Sequence, residues 1–122
     1  MAKRILIVDD EPELVKAIEI RLKQGGYEAL VAYDGQEGLE KAKKEKPDLI
    51  ILDLMLPKMD GHKVCGLLKN DTRFAKIPII ILTAKAQESD EKLSLEVGAD
   101  AYITKSFQHE AVLAKIKELL EE

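Results

Sequence analysis

Apolar residues along this chain of 122 residues fall into two spacings. Short runs of branched residues recur at Ile5-Leu6-Ile7-Val8, Leu49-Ile50-Ile51-Leu52 and Pro78-Ile79-Ile80-Ile81-Leu82-Thr83. Each is too brief for a helix with a polar outer face and reads as a strand buried on both sides of a parallel sheet. The stretches 27–33 and 99–104 are two further strand candidates. Between the runs, apolar positions recur at helical spacing: Leu14, Ile18 and Leu22; Leu39 and Ala42; Val64, Leu67 and Leu68; Leu93 and Val97; then Val112, Leu113, Ile116, Leu119 and Leu120. These predict five amphipathic helices, with Leu93 and Val97 facing inward on the fourth.

The punctuation agrees with that division. Pro12 suits a first helical turn, and Gly25-Gly26 stops the helix it opens. Asp34-Gly35 and Asp60-Gly61 open the second and third helices, with Asp60 as an N-cap. Asn70-Asp71-Thr72 ends the third, and the fourth is expected from about Ser89 to Val97, ahead of Gly98. Strand and helix alternate five times. That order predicts an α/β fold: a doubly wound, five-stranded parallel sheet in the order 2-1-3-4-5, with helices on both faces. One domain over residues 1–122 is expected, with no output domain after the last helix.

Composition narrows the partners. Hydrophobic residues make up 46% and charged residues 34% of the chain, a globular balance. The formal net charge of -4 argues against direct nucleic-acid binding, which needs a basic face. No apolar run approaches the roughly 20 residues that span a bilayer, so no membrane insertion is expected. Cys65 is the only cysteine, which excludes an internal disulfide and points to a cytoplasmic location. It reads as a small hydrophobe, and neither His62 nor His109 stands with it at a zinc-ligand spacing.

The chemistry gathers at the strand ends. In a sheet of this order the carboxyl ends of strands one, three, four and five present Asp9-Asp10, Asp53, Thr83 and Lys105 along one edge, the edge at which open parallel sheets bind ligands. Crowded carboxylates repel one another and call for a compact divalent cation, and magnesium suits all-oxygen ligands. With the charge neutralised, Asp53 is placed to act as a nucleophile toward phosphorus. Lys105 brings a mobile cation for phosphoryl oxygens, and the Thr83 hydroxyl brings a hydrogen-bond donor.

These residues lie in motifs that extend the signal: Ile7-Val8-Asp9-Asp10-Glu11, Leu52-Asp53-Leu54-Met55-Leu56-Pro57 with Met59-Asp60-Gly61, Leu82-Thr83-Ala84, Gly98-Ala99-Asp100-Ala101-Tyr102 and Thr104-Lys105-Ser106-Phe107. The chain resembles a receiver domain of the two-component response-regulator family, of flavodoxin-like fold, over essentially its whole length. The resemblance implies that Asp53 accepts a phosphoryl group from a sensor histidine kinase or a phosphotransfer protein. It implies that Asp10 and Asp53 ligate magnesium directly, Asp9 through water, and Met55 through its backbone carbonyl. Thr83 and Tyr102 are then the switch pair, repacking the face of the fourth helix, fifth strand and fifth helix for a downstream protein partner.

A magnesium-dependent phosphatase with an aspartyl nucleophile is the nearest alternative. It would need a second carboxylate two residues past the nucleophile, where this chain has Met55. A flavin protein would need a Gly/Ser/Thr-rich phosphate loop in place of Asp9-Asp10-Glu11. One position departs from the family: Ser106 replaces the proline that normally follows the lysine in a cis peptide. A cis bond before a non-proline residue costs about 2.5–4 kcal/mol. The need to aim Lys105 at the site while Phe107 anchors the last helix nonetheless sets the expectation that this bond is cis.

Overall fold

The computed structural model describes residues 2–84, 87–106 and 109–121. Five strands, β1 (Arg4–Val8), β2 (Glu28–Ala32), β3 (Leu49–Leu52), β4 (Ile79–Thr83) and β5 (Ala101–Thr104), alternate with five helices. These are α1 (Pro12–Gln24), α2 (Gly35–Glu45), α3 (Gly61–Lys69), α4 (Glu88–Glu96) and α5 (His109–Leu120). All strand pairs are parallel and the sheet order is β2-β1-β3-β4-β5, as the alternation predicts.

The branched runs are buried on both faces because successive side chains point to opposite sides. Leu6, Val8, Ile50, Leu52, Ile79 and Ile81 pack with Ala42 of α2 and Val64, Cys65 and Leu68 of α3. Ile5, Ile7, Leu49, Ile51, Ile80 and Leu82 pack on the other side with Val15, Ile18 and Leu22 of α1 and Val112 and Ile116 of α5. Each such side chain contributes about 1.5–3 kcal/mol by leaving water, so the sheet centre is the rigid base on which the carboxyl edge stands. Asp34 and Asp60 cap α2 and α3, accepting from the backbone amides of Glu37 at 2.8 Å and Lys63 at 3.0 Å.

Two helix faces differ from the expected ones. On α3, Leu67 is exposed and Cys65 is fully buried, so the stripe runs Val64-Cys65-Leu68. On α4 the inward residue is Ser94, completely buried, whereas Leu93 and Leu95 are 43% and 50% exposed. The physical reason is close approach. A small side chain lets α4 lie against α3, and its hydroxyl is satisfied there: Ser94 Oγ donates to the Asp90 carbonyl at 2.8 Å and sits 2.8 Å from His62 Nε2. Only Val97, just past the helix, meets the expectation, packing partly buried against the core.

A second polar tie sets the start of β4 and β5. Lys69 Nζ, at the end of α3, donates to the carbonyls of Ala75 and Ile77 and to Asp100 Oδ2, at 3.1, 2.8 and 2.9 Å. Asp100 Oδ2 in turn accepts from the Ile79 amide at 2.8 Å. Among the described residues no helix is long and apolar enough to cross a membrane.

Candidate functional site

The site is built by extending the sheet ladder one residue past two strands. The Asp9 amide donates to the Ala32 carbonyl at 3.1 Å and the Asp53 amide to the Val8 carbonyl at 3.0 Å. Both aspartates therefore leave their strands side by side, and both are nearly sealed from solvent, at 2% and 3% exposure. Asp10, the next residue, is exposed. One carboxylate oxygen from each of Asp9, Asp10 and Asp53 falls in a group whose members lie within 4.8 Å of one another.

Two glycines let the β3–α3 loop close over this edge. A Cβ on Gly61 would lie 2.1 Å from the Asp53 carbonyl oxygen, and one on Gly35 would lie 1.8 Å from that of Met59. Neither neighbour is a side chain that can swing away, so the sequence must have glycine at both positions. Within the loop, Lys58 takes a left-handed conformation at φ 69°. The Met55 amide donates to Asp53 Oδ1 at 3.3 Å, while the Met55 side chain projects outward.

Lys105 crosses to the same cluster from the end of β5. Its Nζ lies 2.9 Å from Asp53 Oδ2, 3.1 Å from Asp9 Oδ2 and 2.9 Å from Glu11 Oε1. The expected cis bond is not there. Among the described residues every peptide is trans, including Lys105–Ser106. The Lys105 amide donates to the Thr83 carbonyl at 2.8 Å, continuing the β4–β5 ladder. A trans chain thus delivers the side chain to Asp53, and the cost of a non-proline cis bond is avoided. Phe107, which was to anchor the last helix, lies outside the described residues.

The electrostatics follow from burial and crowding. Burial pushes the Asp9 carboxyl above its ordinary range, and the neighbouring Asp53 charge adds to this, against the opposing hydrogen bond from the Glu11 amide and the Lys105 charge. Burial alone would lower the Lys105 ammonium. The hydrogen bonds to Glu11 and Asp53 and the charges of Asp53 and Asp9 outweigh it and hold Lys105 above its ordinary value.

Thr83 ends β4 and is fully buried. The register pairs Ile81 with Tyr102 and Thr83 with Thr104, so Thr83 and Tyr102 stand diagonally on one face of the sheet. Tyr102 packs half-buried against the core on that face. Burial, followed by the charges of Asp90 and Glu91, raises its phenol. Among the remaining candidates, Cys65 is sealed in the core and burial pushes its thiol up to about 11, which suits a packing role. His62 belongs to the α3–α4 contact.

Glu11 is the site residue that motif reasoning quoted without giving it a role. Its amide orients Asp9 by donating to Oδ1 at 3.0 Å, and its carboxylate pairs with Lys105. The only sequence signal is a third acidic residue in the run Asp9-Asp10-Glu11.

An all-oxygen donor set with one solvent-facing member fits a hard divalent cation that keeps part of its hydration shell. A buried carboxylate with an ammonium at hydrogen-bond distance fits a phosphoryl acceptor. Comparison with known proteins decides between the families that share such an edge. The model of the response regulator receiver domain matches residues 5–117. The chain belongs to that family. The receiver domain is 48% identical over 120 residues to the alkaline phosphatase synthesis transcriptional regulatory protein PhoP of Bacillus subtilis, covering 98% of the chain and 49% of that protein. It is 46% identical over 117 residues to the DNA-binding dual master transcriptional regulator RpaA of Synechocystis, covering 96% of the chain and 48% of that protein. The chain spans about half the length of these curated relatives. Among solved structures, a putative response regulator from Chloroflexus aurantiacus superposes with a TM-score of 0.94 at 31% identity, each chain covered in full. A CheY-like receiver domain protein from Methanospirillum hungatei gives 0.93 at 35% identity, covering 99% of this chain and 95% of that one. The receiver domain is thus a two-component signalling module, and the phosphatase alternative is not favoured.

Proposed function

We propose that this receiver domain switches its partner-binding face when Asp53 accepts a phosphoryl group from the phosphohistidine of a sensor histidine kinase or phosphotransfer protein. The observation that carries the reading is the Lys105 ammonium, 2.9 Å from Asp53 Oδ2 beside the Asp9–Asp10–Asp53 cluster. An Asp53 oxygen attacks phosphorus as the phosphorus–nitrogen bond breaks. The bonding pair leaves with the imidazole nitrogen, and a proton on the other ring nitrogen keeps that leaving group neutral. Lys105 follows the charge onto the phosphoryl oxygens, and the Thr83 hydroxyl donates to one of them. Asp10 and Asp53 would hold magnesium directly, Asp9 would do so through water, and the Met55 carbonyl would complete the protein ligands. The ion supplies charge neutralisation for the transferred group. Since Met55 offers no side-chain base, the acyl phosphate is lost only by slow self-dephosphorylation.

The downstream event lies on the face of α4, β5 and α5. Leu93 and Leu95 stand exposed on α4, and Tyr102 lies on the sheet beside it. Thr83 drawn toward the phosphoryl group leaves room into which the Tyr102 ring turns, and the repacked face meets a protein partner. The relatives' names place such domains in transcriptional and DNA-binding regulators. For these 122 residues, carrying a net charge of -4, we assign the contact to protein rather than nucleic acid, and the setting to the cytoplasm. The test is mass spectrometry after incubation with a small phosphodonor and magnesium. One hydroxylamine-sensitive phosphoryl group is expected on the wild type and none on Asp53→Asn. Labelling of the variant at the wild-type rate refutes the assignment.

A further inference from the structure

Lys105 is held by three carboxylates, and only two of them belong to the group that can gather a cation. Asp9 and Asp53 are in that group; Glu11 is outside it. The ammonium is therefore paired with two of the three carboxylates that a divalent cation would gather. A cation and an ammonium on the same two carboxylates repel each other, so one must retreat before the other binds well. The direction of retreat is set by the third partner. Glu11 Oε1 lies 2.9 Å from Lys105 Nζ, its side chain is 58% exposed, and its amide donates to Asp9 Oδ1 at 3.0 Å.

We infer that Glu11 is a positioning residue: it draws the Lys105 ammonium away from Asp9 and Asp53 as a divalent cation enters the cluster, and thereby raises the cluster's affinity for that cation. The inference rests on the metal reading above, but not on phosphoryl transfer. Without Glu11, Lys105 has, among the described residues, only Asp9 and Asp53 to pair with and competes harder for both. Without Lys105, Glu11 has nothing to withdraw, and its remaining influence is that of one solvent-screened charge. Coupling between the two side chains separates these effects.

The experiment is calorimetric titration of magnesium chloride into wild type, Glu11→Gln, Lys105→Met and the double variant, each first shown by its melting curve to be folded. Glu11→Gln should weaken magnesium binding about three- to fivefold, the scale of coupling in a partly exposed ion pair. Lys105→Met should tighten it, and adding Glu11→Gln to Lys105→Met should change it less than about twofold. Equal weakening in both backgrounds, or none in the wild type, overturns the inference. A wild type that binds no magnesium overturns the metal reading itself. Should Glu11→Gln not fold, the Glu11 carboxyl carbon of the wild type is followed by NMR at saturating magnesium. It should stay away from the position it takes in Lys105→Met; moving to that position means the pair has opened and the inference fails. None of these readouts depends on phosphorylation, so loss of phosphoryl uptake leaves them standing.

Discussion

Asp53 and Lys105 meet at 2.9 Å although they leave strands that are not neighbours. Lys105 reaches from β5 across the end of β4 to β3, and β4 ends at Thr83. The pair therefore frames the position where a phosphoryl group on Asp53 would meet the Thr83 hydroxyl. It also makes the acidic cluster tolerable without a cation, since one ammonium offsets part of three crowded negative charges.

Magnesium should stabilise the fold because the proposed site, the Asp9–Asp10–Asp53 cluster, is assembled only in the native state. At about one hundred times the dissociation constant the gain is about 2.7 kcal/mol. Asp10→Asn removes a proposed ligand whose side chain is exposed, so it should cost little stability without magnesium and most of the magnesium-dependent rise in Tm. Equal rises for wild type and variant at the same magnesium concentration would remove Asp10 from the site.

Asp9 gives a pH dependence of definite sign. Its folded-state pKa is raised, chiefly by burial, so the folded state keeps a proton on Asp9 that the unfolded chain releases earlier. Stability therefore falls as pH rises from the ordinary carboxylate range through the folded-state value. Lys105 does not reverse this: its raised value contributes stability that is fully present below the ordinary lysine range and lost only under strongly alkaline conditions. In a chelating buffer, Asp9→Asn should melt above the wild type at neutral pH, with the difference shrinking in acid. Thermal melts across pH check this, and a variant that melts lower at neutral pH contradicts it.

How far the sequence carries can be read from three residues. Asp53 was legible because a run of apolar residues must be a buried strand, and a carboxylate at its end has nowhere to go but the carboxyl edge. Ser94 was not legible. Helical periodicity ranks Leu93 above a serine, and the preference reverses only because His62 and the Asp90 carbonyl satisfy the hydroxyl where α3 and α4 approach. The Lys105–Ser106 bond went the same way. Family habit favoured cis, while the ladder bond from the Lys105 amide to Thr83 supplies the needed direction with a trans chain. Buried apolar runs are local signals; polar partners from distant segments are not.

Ser94 makes a stability prediction with two arms. Ser94→Ala removes a satisfied hydroxyl at the half-buried His62 and should cost about 0.5–1.5 kcal/mol. Ser94→Leu matches the helix's apolar periodicity, yet it forces a large side chain into a fully buried position and should cost about 1–3 kcal/mol. Denaturant melts of the two variants decide the matter, and a stabilising Ser94→Leu would mean that α4 can turn its leucines inward.

Thr83 and Tyr102 lie on one side of the sheet, and the Tyr102 phenol is influenced by Asp90 and Glu91 of α4. In the proposed switch, drawing Thr83 toward the Asp53 pocket would free volume beside Tyr102, and a ring turning into it would change its packing against α4. Such a change is a shift between two existing arrangements, and each 1.4 kcal/mol by which a phosphoryl mimic prefers one of them moves the population tenfold. With beryllofluoride and magnesium, amide chemical-shift changes should extend from Asp53 through Thr83 to Tyr102 and along α4. Thr83→Ala removes the hydroxyl that is pulled, so the mimic should still bind but perturb only the residues around Asp53. A wild type whose changes stop at the pocket, or a Thr83→Ala variant with the full wild-type pattern, would exclude this route, because in either case the hydroxyl would not be what links the acceptor to the tyrosine.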